Sequence, residues 1–161
     1  MKINELLSFK SLLATVLVGL LGLNSMNVAA NSSGSDAPES KSMDSARKAI
    51  DDGDYAVAIR HLKKALADDS QSANTLNLMG YSLRKSGKLD QAFDFYQKAL
   101  GIEPEHLGAN EYLGELHLQR EELDKAEQRL AVLDDACFLP CEEFTELKEA
   151  IAEYRKRKGL N

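Results

Sequence analysis

Residues 73–106 read ANTLNLMGYSLRKSGKLDQAFDFYQKALGIEPEH, and this stretch decides the fold. Leu76, Gly80 and Leu83 recur at helical spacing, as do Leu89, Ala92, Tyr96 and Ala99 after them. Between the two runs stands Gly87, where a helix that ends must turn through a left-handed residue. Pro104 stops the second run, because proline cannot continue the hydrogen-bond ladder. The segment therefore predicts two helices folded back on each other.

The same pattern lies on both sides of it at a 34-residue period. Ala46, Gly80 and Gly114 form one column, and Ala58, Ala92 and Ala126 another. Gly53, Gly87 and Glu121 share a phase, as do Tyr55, Leu89 and Leu123. So do Leu62, Tyr96 and Leu130, and then Ala65, Ala99 and Leu133. The small columns predict close helix–helix approach, since axes reach about 8–10 Å only over small side chains. Ala58, Ala92 and Ala126 are expected to face Ala46, Gly80 and Gly114. The bulky column Leu62, Tyr96 and Leu130 is expected to fill the space between successive pairs.

On Leu76, Gly80, Ala92, Tyr96, Ala99 and Pro104 the middle unit resembles the tetratricopeptide repeat (TPR). The resemblance implies an all-α, right-handed α-solenoid of about three TPR helix pairs plus a C-terminal capping helix. The units are 39–72, 73–106 and 107–136, and residues 137–161 form a link and the cap. The outer units depart from the pattern. Ser42 and Ser70 replace Leu76 and Pro104 in the first; Asn110, His117 and Glu121 replace Leu76, Leu83 and Gly87 in the third. Terminal repeats are expected to be atypical, because one of their faces meets a cap or solvent. In the cap, Phe144, Leu147, Ile151 and Tyr154 make an apolar stripe. Gly159 ends it behind the basic run Arg155–Lys158, which suits the negative end of a helix dipole. Deleting the chain after Pro140 is expected to expose Leu130 and Leu133.

The N-terminus reads as a leader rather than as part of the fold. Lys2 and Lys10 precede an apolar run from Leu12 to Leu23, and Val28-Ala29-Ala30 offers small residues for cleavage. The run is too short for a membrane span of about 20 residues. Residues 1–30 are thus expected to be a signal peptide, leaving no stable membrane anchor, and 31–42 a Ser-rich flexible linker. The leader style points to a bacterium and to a periplasmic or extracellular location. Its loss takes the net charge from −6 to −7, which argues against nucleic acid as a partner.

An exported chain holds its cysteines in an oxidising compartment, so Cys137 and Cys141 are expected to form a disulfide that fixes the angle of the cap. Their Cys-x-x-x-Cys spacing is not that of thioredoxin-like enzymes. His61 is expected in solvent, His106 at the end of the middle unit and His117 packed in the core. There is no Ser-His-Asp constellation and no phosphate loop, so catalytic residues, metal site and cofactor are all expected to be none.

The TPR resemblance implies that the first helix of each pair lines a concave groove. The groove candidates are Arg47, Asp51, Asn74, Asn77, Tyr81, Arg84, Lys85, Glu111, Glu115 and Gln119. TPR proteins that hold a C-terminal carboxylate use a clamp of Lys, Asn and Arg on this face. Here Met43 stands where a clamp Lys would be, and Glu111 and Glu115 carry the wrong sign, so that ligand is not carried over. The reading is a non-enzymatic adaptor of the cell envelope that binds an unidentified protein or peptide, with Asn77, Tyr81 and Arg84 under the bound segment. Thiol-redox or metal handling by Cys137 and Cys141, and self-association of the module, stand as the alternatives.

Overall fold

The computed structural model describes residues 41–139 and 141–160; the expected leader and the first ten residues of the expected linker lie outside them. The described residues form seven helices and no strand. These are α1 (Lys41–Asp51), α2 (Tyr55–Asp68), α3 (Ala73–Lys85), α4 (Leu89–Ile102), α5 (Leu107–Gln119), α6 (Leu123–Ala136) and α7 (Glu142–Lys158). Helix α1 starts inside the stretch read as linker, so Lys41 and Ser42 are helical, with Met43 buried one residue later.

Helices pair as α1·α2, α3·α4 and α5·α6, and each pair docks on the next through α2·α3 and α4·α5. Helix α3 also meets α5, and α5 meets α7, whereas the second helices make no comparable approach to one another. The first helices therefore form the tighter, inner layer of a helical solenoid. The turns inside the pairs need left-handed residues: Gly53 has φ +73° and Gly87 φ +75°. Glu121 holds the same conformation at φ +62° without being glycine, which costs about 1 kcal/mol.

The core is where the columns place it, with one correction. Ala46, Ala58, Ala92 and Ala126 are fully buried. The residue seated on Gly80, however, is Tyr96 of the same pair: a Cβ on Gly80 would lie 2.6 Å from Tyr96 Cε1. Gly114 instead takes Leu147 of α7, whose Cδ2 would lie 2.5 Å from such a Cβ. Bulky side chains thus fill the notches left by both glycines, and the bulky column serves within a pair as well as between pairs.

Helix α7 begins about one repeat length after α5 and contacts both α5 and α6, lying closer along α5 than α5 lies along α3. It occupies the place of a further first helix. Leu147, Ile151 and Tyr154 are buried against Leu118, Ala126 and Leu133, with Phe144 and Leu130 half-buried beside them. At about 1.5–3 kcal/mol for each buried side chain, this stripe anchors the C-terminal end of the stack. Gly159 ends α7 at φ +67°.

The departures of the third unit also have structural reasons. Asn110 is fully buried and donates from Nδ2 to the carbonyls of Pro104 (3.0 Å) and His106 (3.1 Å). Its Oδ1 accepts from Arg129 Nη1 of α6 at 3.2 Å. One amide thereby joins the end of α4, the start of α5 and α6. His106 caps α5 by accepting the Ala109 N–H on Nδ1 at 3.2 Å. His117 is packed, with Nδ1 2.6 Å from Glu122 Oε2, and burial holds its pKa below the ordinary value against the pull of Glu122. His61 was expected in solvent and is half-buried.

Candidate functional site

A row of tyrosines runs from the start of α2 onto the inner layer and crosses three helices. Tyr55 opens α2, Tyr81 lies late in α3 and Tyr112 lies mid-way along α5. The ring centroids of Tyr81 and Tyr112 are 4.8 Å apart, and those of Tyr55 and Tyr81 are 6.2 Å apart. All three rings are half-buried, and burial raises the phenol pKa of Tyr81 and of Tyr112. Tyr96 lies behind the row, fully buried, with its centroid 6.4 Å from that of Tyr112.

Arg84 binds this row together. Its guanidinium lies 5.6 Å from the centroids of both Tyr81 and Tyr112, within the range of cation–π attraction. It also forms an ion pair with Glu115 across the α3·α5 seam. Lys85 adds a second cation, 5.7 Å from the Tyr81 centroid. On the far side of Tyr112 the charge reverses. Glu111 is buried, and its carboxyl pKa is pushed up to about 9, first by that burial and then by the hydrogen bond its protonated form donates to Glu146 and by repulsion from Glu146, with Glu115 and Glu143 adding to it. The inner face thus runs from cationic and aromatic on α3 to acidic on α5 and α7.

The expected groove residues divide into two sets. Tyr81, Arg84, Lys85 and Glu115 come together around the tyrosine row. Arg47, Asp51, Asn74 and Gln119 are exposed on the first helices around it. Asn77, Arg84 and Glu111 are corrected: they are 4%, 8% and 3% exposed, so they support the face from below instead of offering their polar groups to a partner. Asn77 Oδ1 is buried with no hydrogen-bond partner among the described residues, and the Arg84 guanidinium lies against the Tyr96 hydroxyl beneath the surface. Tyr55 and Tyr112 were not among the candidates. A tyrosine spaced 31 residues from Tyr81 on the neighbouring first helix was the available sign.

Outside this face, Cys137 and Cys141 are joined Sγ to Sγ, with Cα atoms 5.9 Å apart, in the link between α6 and α7. Among the described residues no group of three or more His, Cys, Asp or Glu is placed to hold a metal ion, and no helix is long and apolar enough to cross a membrane.

Comparison with known proteins agrees with this architecture. Residues 83–136 match the tetratricopeptide repeat family. Over these residues the chain carries the tetratricopeptide repeat. No curated protein matches it in sequence. Among solved structures, the chain is similar to the type III secretion translocator chaperone SycD of Yersinia enterocolitica. The TM-score is 0.65 at 18% identity, covering 74% of this chain and 84% of that one. It is also similar to SycD in complex with a peptide of the translocator YopD, with TM-score 0.61 and 19% identity over 72% of this chain and 88% of that one. The second TPR domain of human RPAP3, in complex with the HSP70 peptide SGPTIEEVD, gives a TM-score of 0.59 at 18% identity. That match covers 68% of this chain and 91% of that one. At these identities the likeness concerns the TPR fold.

Proposed function

We propose that this TPR protein is an adaptor that recognises an extended or helical segment of another protein across Tyr55, Tyr81 and Tyr112. The observation that carries the reading is the tyrosine row itself. Three half-buried rings on α2, α3 and α5, two of them against the buried Arg84, give rigid amphipathic contact area at low entropic cost, which is what interface hot spots require. Two of the similar structures hold peptides, of YopD and of HSP70, and that use of the fold supports the same use here. The carboxylates of Glu115, Glu143 and Glu146 disfavour segments that end in a carboxylate, such as the EEVD terminus of the HSP70 peptide. The protein binds and does not catalyse. The basic, apolar and small-residue sequence of residues 1–30 supports export, so the partner is sought in the cell envelope or outside the cell.

The test replaces Tyr81 and Tyr112 together by Ala and compares quantitative affinity capture from the envelope fraction with that of the unaltered protein. A partner enriched by the unaltered protein and lost with the double variant, at equal helical content, is expected. Equal enrichment by both proteins contradicts the reading.

A further inference from the structure

The C-terminal end of the stack carries a projection and a depression side by side. Phe138 is 99% exposed and Leu139 72% exposed, and both sit on the short loop that the Cys137–Cys141 bridge closes. Large apolar side chains displayed so fully on a covalently pinned loop are not explained by the fold, since neither contributes to any of its cores. Immediately beside them, Phe144, Thr145, Lys148, Glu149 and Ala152 line a shallow depression along α7. A second depression, lined by Asp134, Cys137, Phe138, Leu139 and Phe144, joins the projection to it, because Phe144 borders both.

The depression lies where the repeat calls for another helix. Helix α5 meets its own second helix through Asn110, bonded to Arg129, and His117, bonded to Glu122. With the first residues of the two helices aligned, Leu107 on Glu142, the corresponding positions in α7 are Thr145 and Ala152, and both are exposed. No second helix covers α7 among the described residues. The floor is the half-buried Phe144 ring with the Lys148 ammonium 5.5 Å from its centroid. The projection is flanked by the exposed carboxylates of Asp134 and Asp135, opposite in sign to Lys148.

We propose that a second copy of this chain covers this face, in a two-fold pair that seats Phe138 and Leu139 of each copy over Phe144 and Ala152 of the other. A projection and a depression on one surface are complementary to themselves only through such an axis, and a two-fold pair closes without growing into a filament. The pairing brings Asp134 and Asp135 of each copy to Lys148 of the other. The disulfide holds Phe138 and Leu139 in position before they meet, so their ordering is not charged to association.

Sedimentation of the full-length protein, purified without reductant, over a dilution series tests this. A reversible monomer–dimer equilibrium is expected. Phe138→Ser combined with Leu139→Ser weakens it by about thirtyfold or more, and Ala152→Arg does the same, both at unchanged helical signal because these side chains are exposed. Lys148→Glu weakens the dimer, and adding Asp134→Lys and Asp135→Lys restores it. Reducing the bridge weakens it by about tenfold. A monomer at every concentration overturns the proposal. So does a dimer indifferent to the Phe138/Leu139 variant or to Ala152→Arg, and so does a dimer that survives denaturation as an intermolecular disulfide.

Discussion

Adding one methyl group at Gly80 isolates the contact on which the middle helix pair is built. In a helix interior Ala is favoured over Gly by about 1 kcal/mol, so Gly80→Ala begins with that gain. Against it, the new Cβ lies 2.6 Å from Tyr96 Cε1 and 2.7 Å from Cδ1, where carbon atoms prefer about 3.5–4.0 Å. The ring must retreat by about 1 Å, yet Tyr96 is fully buried and has the Tyr112 ring near it. Overpacking of this kind costs about 1–3 kcal/mol, and a pinned aromatic belongs at the upper end. The expected net effect is a loss of about 1–2 kcal/mol. Gly101→Ala in α4 is the matched control, because nothing lies within 4 Å of its Cβ; it should stabilise by up to about 1 kcal/mol. Urea denaturation followed by far-ultraviolet circular dichroism reads both variants, with unchanged slope as the check that only stability moved. If Gly80→Ala matches or exceeds the parent in stability, the close approach of α3 and α4 over Gly80 is not what holds this pair.

Glu121→Gly should stabilise by about 0.5–1 kcal/mol, since glycine relieves the φ of +62° and the exposed ion pair with Lys158 that it forfeits is worth little; a midpoint below that of the parent contradicts this. Glu111→Gln keeps a neutral donor where the folded carboxyl is protonated. With its folded pKa raised from 4.5 to about 9, Glu111 favours the folded state most below pH 4.5, and that advantage drains away as pH rises toward 9. The variant should therefore match the parent near pH 4 and exceed it by at most about 3 kcal/mol at pH 7; a pH-independent difference between the two would refute the assignment. Removing residues 141–161 uncovers Leu118 and Leu133 and should leave an aggregation-prone chain without a cooperative transition, as light scattering and thermal melts would show.

Much of the fold was legible because its determinants are periodic. Gly53 and Gly87 mark the turns, Ala58, Ala92 and Ala126 the close approaches, and Pro104 a helix end, each through local sterics that one position reveals. What Gly80 accommodates was not legible at that level. The 34-residue spacing assigns Ala92 and Tyr96 alike to the second helix, and only the packed structure shows which of them enters the notch. The start of α1 was obscured because Lys41 and Ser42 continue the polar composition of the preceding residues. On the inner face, helical phase sets the direction of Asn77, Arg84 and Glu111 around the axis but not their depth. Burial depends instead on how closely α3, α5 and α7 approach, and that distance is set by side chains far away in sequence. The Tyr81–Tyr112 stack and the Glu111–Glu146 pair are such inter-repeat contacts, so each lay hidden among ordinary polar and aromatic positions. Asn110 looked like a defect in the core column and proves to be a hydrogen-bonded junction, because its partners are carbonyls of the preceding link and Arg129 of the following helix.

The central claim is that the inner, tyrosine-bearing face is the one that meets a partner. Site-specific photo-crosslinking in the native host tests it directly, with the reactive residue placed in turn at Asn74, Lys85 and Gln119 on the inner layer and at Lys64 and Lys98 on the second helices, all of them exposed. The account predicts one adduct, common to the inner positions and absent from the outer ones. Adducts confined to Lys64 and Lys98 would contradict it.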